Sequence, residues 1–204
     1  MIRTDPVSPH TLTLVRNPVN LDWELRSHAS SHVVVGLLDW AVPGTGIDAG
    51  VPVAVATLLS KALCQSAQLS FLDPASPIQL SPSFPGRLIG KPVFPLTTTS
   101  NSDTAVRLFN IDAFPWEQRA QVVILSEPGT TPVWRYQDLF ELWSSSSPDL
   151  GRLALHMHAW GFAFPGVDGD FMEIAVASTT YWEQLKQTLA QMCKQHDFLW
   201  EEVS

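Results

Sequence analysis

The sequence predicts an α+β fold: a mostly antiparallel sheet with two or three helices packed on it, plus a proline-rich extended arm, all within a single domain over residues 1–204. Three observations carry this expectation. Short β-prone runs separated by turn residues fill the first forty positions. Two longer stretches, near 51–68 and 179–196, repeat their apolar residues at helical spacing. The segment 153–177 reads as a hairpin turning at Asp168-Gly169.

The early strands are expected at Thr11 to Val15, Leu21 to Arg26 and Val33 to Trp40. A loop through Gly44, Gly46 and Gly50 then leads into a helix over Val51 to Gln68, whose first turn accepts Pro52 because the missing amide hydrogen has no partner there. Its polar positions Thr57, Lys61, Gln65 and Gln68 form one narrow stripe, so most of its circumference must be covered, as in a central core helix.

Residues 71–103 change character. Pro74, Pro77, Pro82, Pro85, Pro92 and Pro95 forbid a helix and interrupt any central strand. Phe84, Leu88, Ile89, Val93 and Phe94 carry too much apolar surface for a solvated linker, which predicts an arm packed on the body of the chain or on a partner. Its tip, Thr97 to Asp103, is the part expected to be mobile.

Ala105 to Ile111 fits strand or helix, whereas Gln121 to Leu125, closed by Glu127-Pro128-Gly129, fits a central strand. Thr131 as N-cap and Pro132 at the first helical position predict a helix with Tyr136, Leu139, Phe140 and Trp143 as its stripe, ending in the run from Ser144 to Pro148. The hairpin strands are expected at Leu153 to Phe164 and Asp170 to Ala177, with Leu153, Leu155, Met157, Ile174 and Val176 on the core face. A helix from Thr179 to about His196, capped by Ser178 or Thr179, should bury Trp182, Leu185, Leu189, Met192 and Cys193, and Phe198 to Val203 reads as a last strand.

Composition bounds function. The formal charge is −8, and the 12 Lys and Arg residues are scattered, which disfavours a phosphate backbone and anionic lipid alike. The start lacks an apolar leader region, and the longest apolar stretch, Val51 to Leu63, is too short to span a bilayer, so the chain is expected in the cytoplasm. Cys64 and Cys193 show no metal-ligand spacing and read as buried thiols. Only 16% of residues are charged and there are eight tryptophans, a balance that suits a surface partly covered by a partner or by self-association as a homodimer.

Motifs for chemistry are sparse. Gly44, Gly46 and Gly50 give GxGxxxG rather than a dinucleotide fingerprint, with no P-loop lysine following. Read as a strand, His156 and His158 share a face with Trp160, Phe162 and Phe164, a candidate ligand or partner face together with Glu173. The tight turn pairs Glu173 with Phe164, about 20 Å along the strand from His158, so a chelate within the hairpin is ruled out and neither metal nor cofactor is expected. A metal site completed by distant His10, His28, His32 or His196 stays open. The carboxylate pairs Asp22/Glu24, Asp138/Glu141 and Asp168/Asp170 are explained by solvated acids and turn chemistry.

The expectation is therefore a non-enzymatic interaction, assembly or regulatory factor in a cytoplasmic complex. The alternative is a small-molecule or metal-binding protein, enzymatic or not, using the His156/His158/Trp160 face.

Overall fold

The structure, a computed structural model, describes residues 11–16, 34–41, 53–72, 96–109, 122–130, 133–145, 148–165 and 171–203. The described strands are β1 (Thr11–Arg16), β2 (Val34–Ala41), β3 (Gln68–Leu72), β4 (Leu96–Thr99), β5 (Val122–Ser126), β6 (Ala159–Pro165), β7 (Phe171–Val176) and β8 (Leu199–Val203). They join in one sheet of spatial order β4-β3-β5-β6-β7-β2-β1-β8. Each neighbouring pair is antiparallel except β1 and β8, which run parallel. With helices α1 (Val53–Ser66), α2 (Ser102–Phe109), α3 (Tyr136–Ser144), α4 (Leu150–Met157) and α5 (Thr179–Gln195), the fold is α+β.

Helices cover both sheet faces. On one, α1, α5 and Ala105 of α2 bury Leu12 and Leu14 of β1, Leu38 of β2, Leu69 and Phe71 of β3, Val123 and Leu125 of β5, and Ile174 and Val176 of β7. On the other, α3 and α4 cover Leu72, Val122, Ile124, Phe162 and Ala175. This explains why β5 is apolar at successive positions: all five of its residues are buried, because each face of the strand meets a helical layer.

The narrow polar stripe of α1 has the predicted consequence. Val55, Leu58, Leu59, Ala62 and Leu63 are fully or almost fully buried, and each large side chain among them contributes ~1.5–3 kcal/mol of burial. Ser66 on the same helix is reached across the α1–α5 seam by Thr188, with the hydroxyl oxygens 3.1 Å apart. The closing helix α5 begins at the Ser178 N-cap, whose hydroxyl accepts from the Tyr181 amide, and buries Trp182, Leu185, Leu189, Met192 and Cys193 as its spacing required. β8 follows it and packs Trp200 against the same core.

Several sequence expectations change. Residues 97–103 carry regular elements: β4 pairs with β3, with Ser70 and Thr98 joined hydroxyl to hydroxyl at 2.9 Å, and α2 starts at Ser102. Asn101 caps that helix by accepting the Thr104 amide at 2.9 Å, which settles the strand-or-helix ambiguity downstream in favour of helix. β3 itself extends through Phe71 and Leu72, so these two residues belong to the sheet.

α3 starts at Tyr136 rather than after Thr131, because Val133 to Arg135 are non-helical and the Val133 amide donates to the Met157 carbonyl at the end of α4. The predicted strand Leu21 to Arg26, the glycine loop Gly44–Gly50, the N-cap Thr131 with Pro132, the turn Asp168-Gly169, and the arm residues Phe84, Leu88, Ile89, Val93 and Phe94 lie outside the described residues.

The largest correction concerns 150–158. Leu150–Met157 is a helix, not the first half of a hairpin strand. Asp149 supplies the N-cap, accepting the Arg152 amide at 3.0 Å, and Leu150, Leu153, Ala154 and Met157 bury one helical stripe. His158 ends the helix in the left-handed region, at φ 52. The true hairpin is shorter, β6 with β7, and keeps the predicted pairing of Phe164 with Glu173.

A bulge in β6 decides which way its aromatics point. Leu125 pairs with Gly161 and Ser126 with Ala159, so Trp160 is the extra residue. Trp160 thereby joins the α1/α5 core, stacked on Tyr181 at 5.2 Å between ring centroids, while Phe162 lies in the α3/α4 core. Simple alternation would have set both on one face.

Candidate functional site

The outer helical layer carries the most unusual surface among the described residues. Helical geometry offers α3 two possible apolar stripes, and packing selects Leu139 and Leu142, while Asp138 is buried beside Arg152 and His156 of α4. Tyr136 and Phe140 are consequently turned outward. Their rings stack at 6.0 Å, with Val133 and Trp134 also exposed just before them. On α4 the helical twist likewise puts Leu155, expected in the core from strand alternation, out in solvent at 77% exposure. The backbone bond from the Val133 amide to the Met157 carbonyl ties the segment leading into α3 to the end of α4.

Between α3 and α4 lies a charged cluster. Asp138 is only 5% exposed, contrary to the solvated acid expected. Its Oδ1 lies 3.5 Å from His156 Nδ1 and 3.7 Å from the Arg152 guanidinium, which also pairs with Glu141. Arg152 Nη1 and His156 Nδ1 are 3.3 Å apart. The hydrogen bond to Glu141 holds the Arg152 guanidinium above its ordinary pKa, reinforced by the charges of Glu141, Asp138 and Asp149. Asp138 Oδ2 is buried without a hydrogen-bond partner. One carboxylate oxygen thus anchors two side chains of the neighbouring helix while the other is left unsatisfied.

The residues grouped by the strand reading are dispersed. His156 is in the last turn of α4 against Asp138, and His158 is the exposed left-handed cap. Trp160 and Phe162 are buried on opposite sides of the sheet, and Glu173 is half-buried on the face of Phe162. Among the described residues no group of three or more His, Cys, Asp or Glu side chains is arranged to hold a metal ion. The thiols of Cys64 and Cys193 are both free, and burial pushes each up to about 11.

The sequence pattern did not single out Arg152, and it set Leu155 on the core face and Tyr136 and Phe140 in the helix stripe, whereas all three apolar side chains are exposed. The signal for α4 was present in Pro148-Asp149 followed by apolar residues at i, i+3, i+4 and i+7. No family model, no curated protein and no solved structure matches the chain. Among the described residues no helix is long and apolar enough to cross a membrane.

Proposed function

We propose that the protein is a non-enzymatic interaction or assembly factor of the cytoplasm that docks another protein on the outer face of α3 and α4. One observation carries this reading: Val133 and Trp134 leading into α3, Tyr136 and Phe140 on it and Leu155 on the adjoining α4 are all exposed large apolar side chains. Large apolar side chains gathered on one surface are what partner-binding sites use, and Trp and Tyr are the residue types that concentrate binding energy there. The charged cluster of Asp138, Glu141, Arg152 and His156 beside them supplies directional contacts that fix register. The net charge of −8 opposes stacking two copies on this surface and favours a different protein, neutral or basic where it docks.

The test compares the native chain with a Trp134→Ala, Phe140→Ala, Leu155→Ser variant, each purified from the source cells and read by native mass spectrometry. A stoichiometric protein partner kept by the native chain and lost by an equally stable variant supports the reading. A monomer carrying a metal or small molecule, unaffected by the three substitutions, overturns it and returns attention to His156 and His158.

A further inference from the structure

A second surface, independent of α3 and α4, lies at the end of the sheet. β8 is the edge strand beyond β1 among the described residues. Its two faces differ in kind. Trp200 packs on the α1/α5 core and its indole N–H donates to Glu202, which also holds Lys186 of α5 at 3.2 Å. That face is occupied. Strand alternation sets Leu199, Glu201 and Val203 together on the other face, where Leu199 is 51% and Val203 49% exposed and Glu201 is exposed between them. An apolar–acidic–apolar row on an edge strand is a template for another strand.

We propose that β8 accepts an added antiparallel strand from a partner protein, one that carries a basic residue between two apolar residues on its facing side. Charge disfavours a second copy as occupant in the full-length antiparallel register. Two β8 strands paired so that Leu199 meets Val203 place Glu201 directly opposite Glu201, which is unfavourable between chains of charge −8. A lysine or arginine at that position turns the repulsion into a cross-strand ion pair while valine or leucine cover Leu199 and Val203. Specificity then rests on Glu201, and affinity on main-chain hydrogen bonds along the edge.

The experiment uses two synthetic peptides, Thr-Thr-Val-Thr-Lys-Thr-Val-Thr-Thr and its twin with Glu in place of Lys, titrated into the full chain and followed by backbone amide shifts. The Lys peptide is expected to move the amides of residues 199–203 and to bind at least about tenfold more tightly than the Glu peptide. Glu201→Lys, a surface exchange that leaves the fold intact, should reverse the preference. Equal affinity for the two peptides, shifts mapping elsewhere, or no binding of either overturns the proposal, the last outcome making Glu201 a guard against edge pairing. A native dimer dissociated by substitution at Leu199 would overturn the choice of occupant.

Discussion

The six-membered ring of the Trp182 indole fills the space that a side chain at Gly36 would need: a Cβ built there would stand 2.6 Å from Cζ3. Gly36 is on β2 and Trp182 in the first turns of α5, so this contact lets a helix rest directly on strand backbone near the middle of the sheet. Gly36→Ala should cost ~3 kcal/mol, the upper end of overpacking, and Trp182→Ala ~3–5 kcal/mol through the cavity left behind. Urea unfolding of Gly36→Ala, Trp182→Phe and the double variant checks the pairing. The smaller ring should recover part of the loss caused by the added methyl group, giving strongly non-additive energies.

His158 is held at φ 52 as the C-cap of α4, a conformation unfavourable for residues with a Cβ. His158→Gly should therefore raise stability by about 0.5–1 kcal/mol, read as a higher midpoint in thermal unfolding. A loss of stability would show that the imidazole makes contacts that outweigh the backbone strain.

Asp138 and Arg152 are unequally exposed, the carboxylate buried and the guanidinium about a third open to water. Removing the cation leaves a buried charge with one oxygen already unpaired. Arg152→Ala is expected to cost ~2 kcal/mol, below the figure for a fully buried pair because solvent screens Arg152. Glu141→Gln, on the more exposed side of the same guanidinium, should cost less than ~1 kcal/mol. Equal losses in chemical denaturation would mean that Asp138 finds another donor when Arg152 is gone.

The buried thiol of Cys193 and the half-buried thiol of Cys64 make stability fall in alkaline solution. Burial raises each from 9.0 to about 11 in the folded chain. Below pH 9.0 folded and unfolded chains are both protonated, and the full stability is present. As pH rises toward 11 the unfolded chain loses its thiol protons first, so the folded state binds more protons and stability declines. Replacing Cys64 and Cys193 by alanine should flatten that decline in melting temperature. At pH 8 only roughly one thiol in a thousand is ionised in the folded protein, so a disulfide reagent should react slowly until denaturant is added.

Much of the architecture was legible along the chain. The Gln121–Leu125 run, the one-sided polarity of α1, the stripe of α5 and the pairing of Phe164 with Glu173 all follow from local periodicity and turn chemistry, which short-range sterics enforce. The segment 150–158 was misread because Leu153, Leu155 and Met157 satisfy a period of two, while Leu150, Leu153, Ala154 and Met157 satisfy the helical period. The Asp149 cap breaks that tie, and the exposure of Leu155 is its direct result.

What the sequence by itself determined is which stretches are apolar, how they repeat and that their surfaces must be covered. Only the tertiary structure decided what covers them: helices on both faces of the sheet, a bulge that sends Trp160 and Phe162 to opposite cores, and the rotation of α3 that buries Asp138 and exposes Tyr136 and Phe140. The reason is physical. Periodicity fixes the angular spacing of side chains on an element, but the orientation of that element is set by packing against neighbours distant in the chain, and no local pattern contains them.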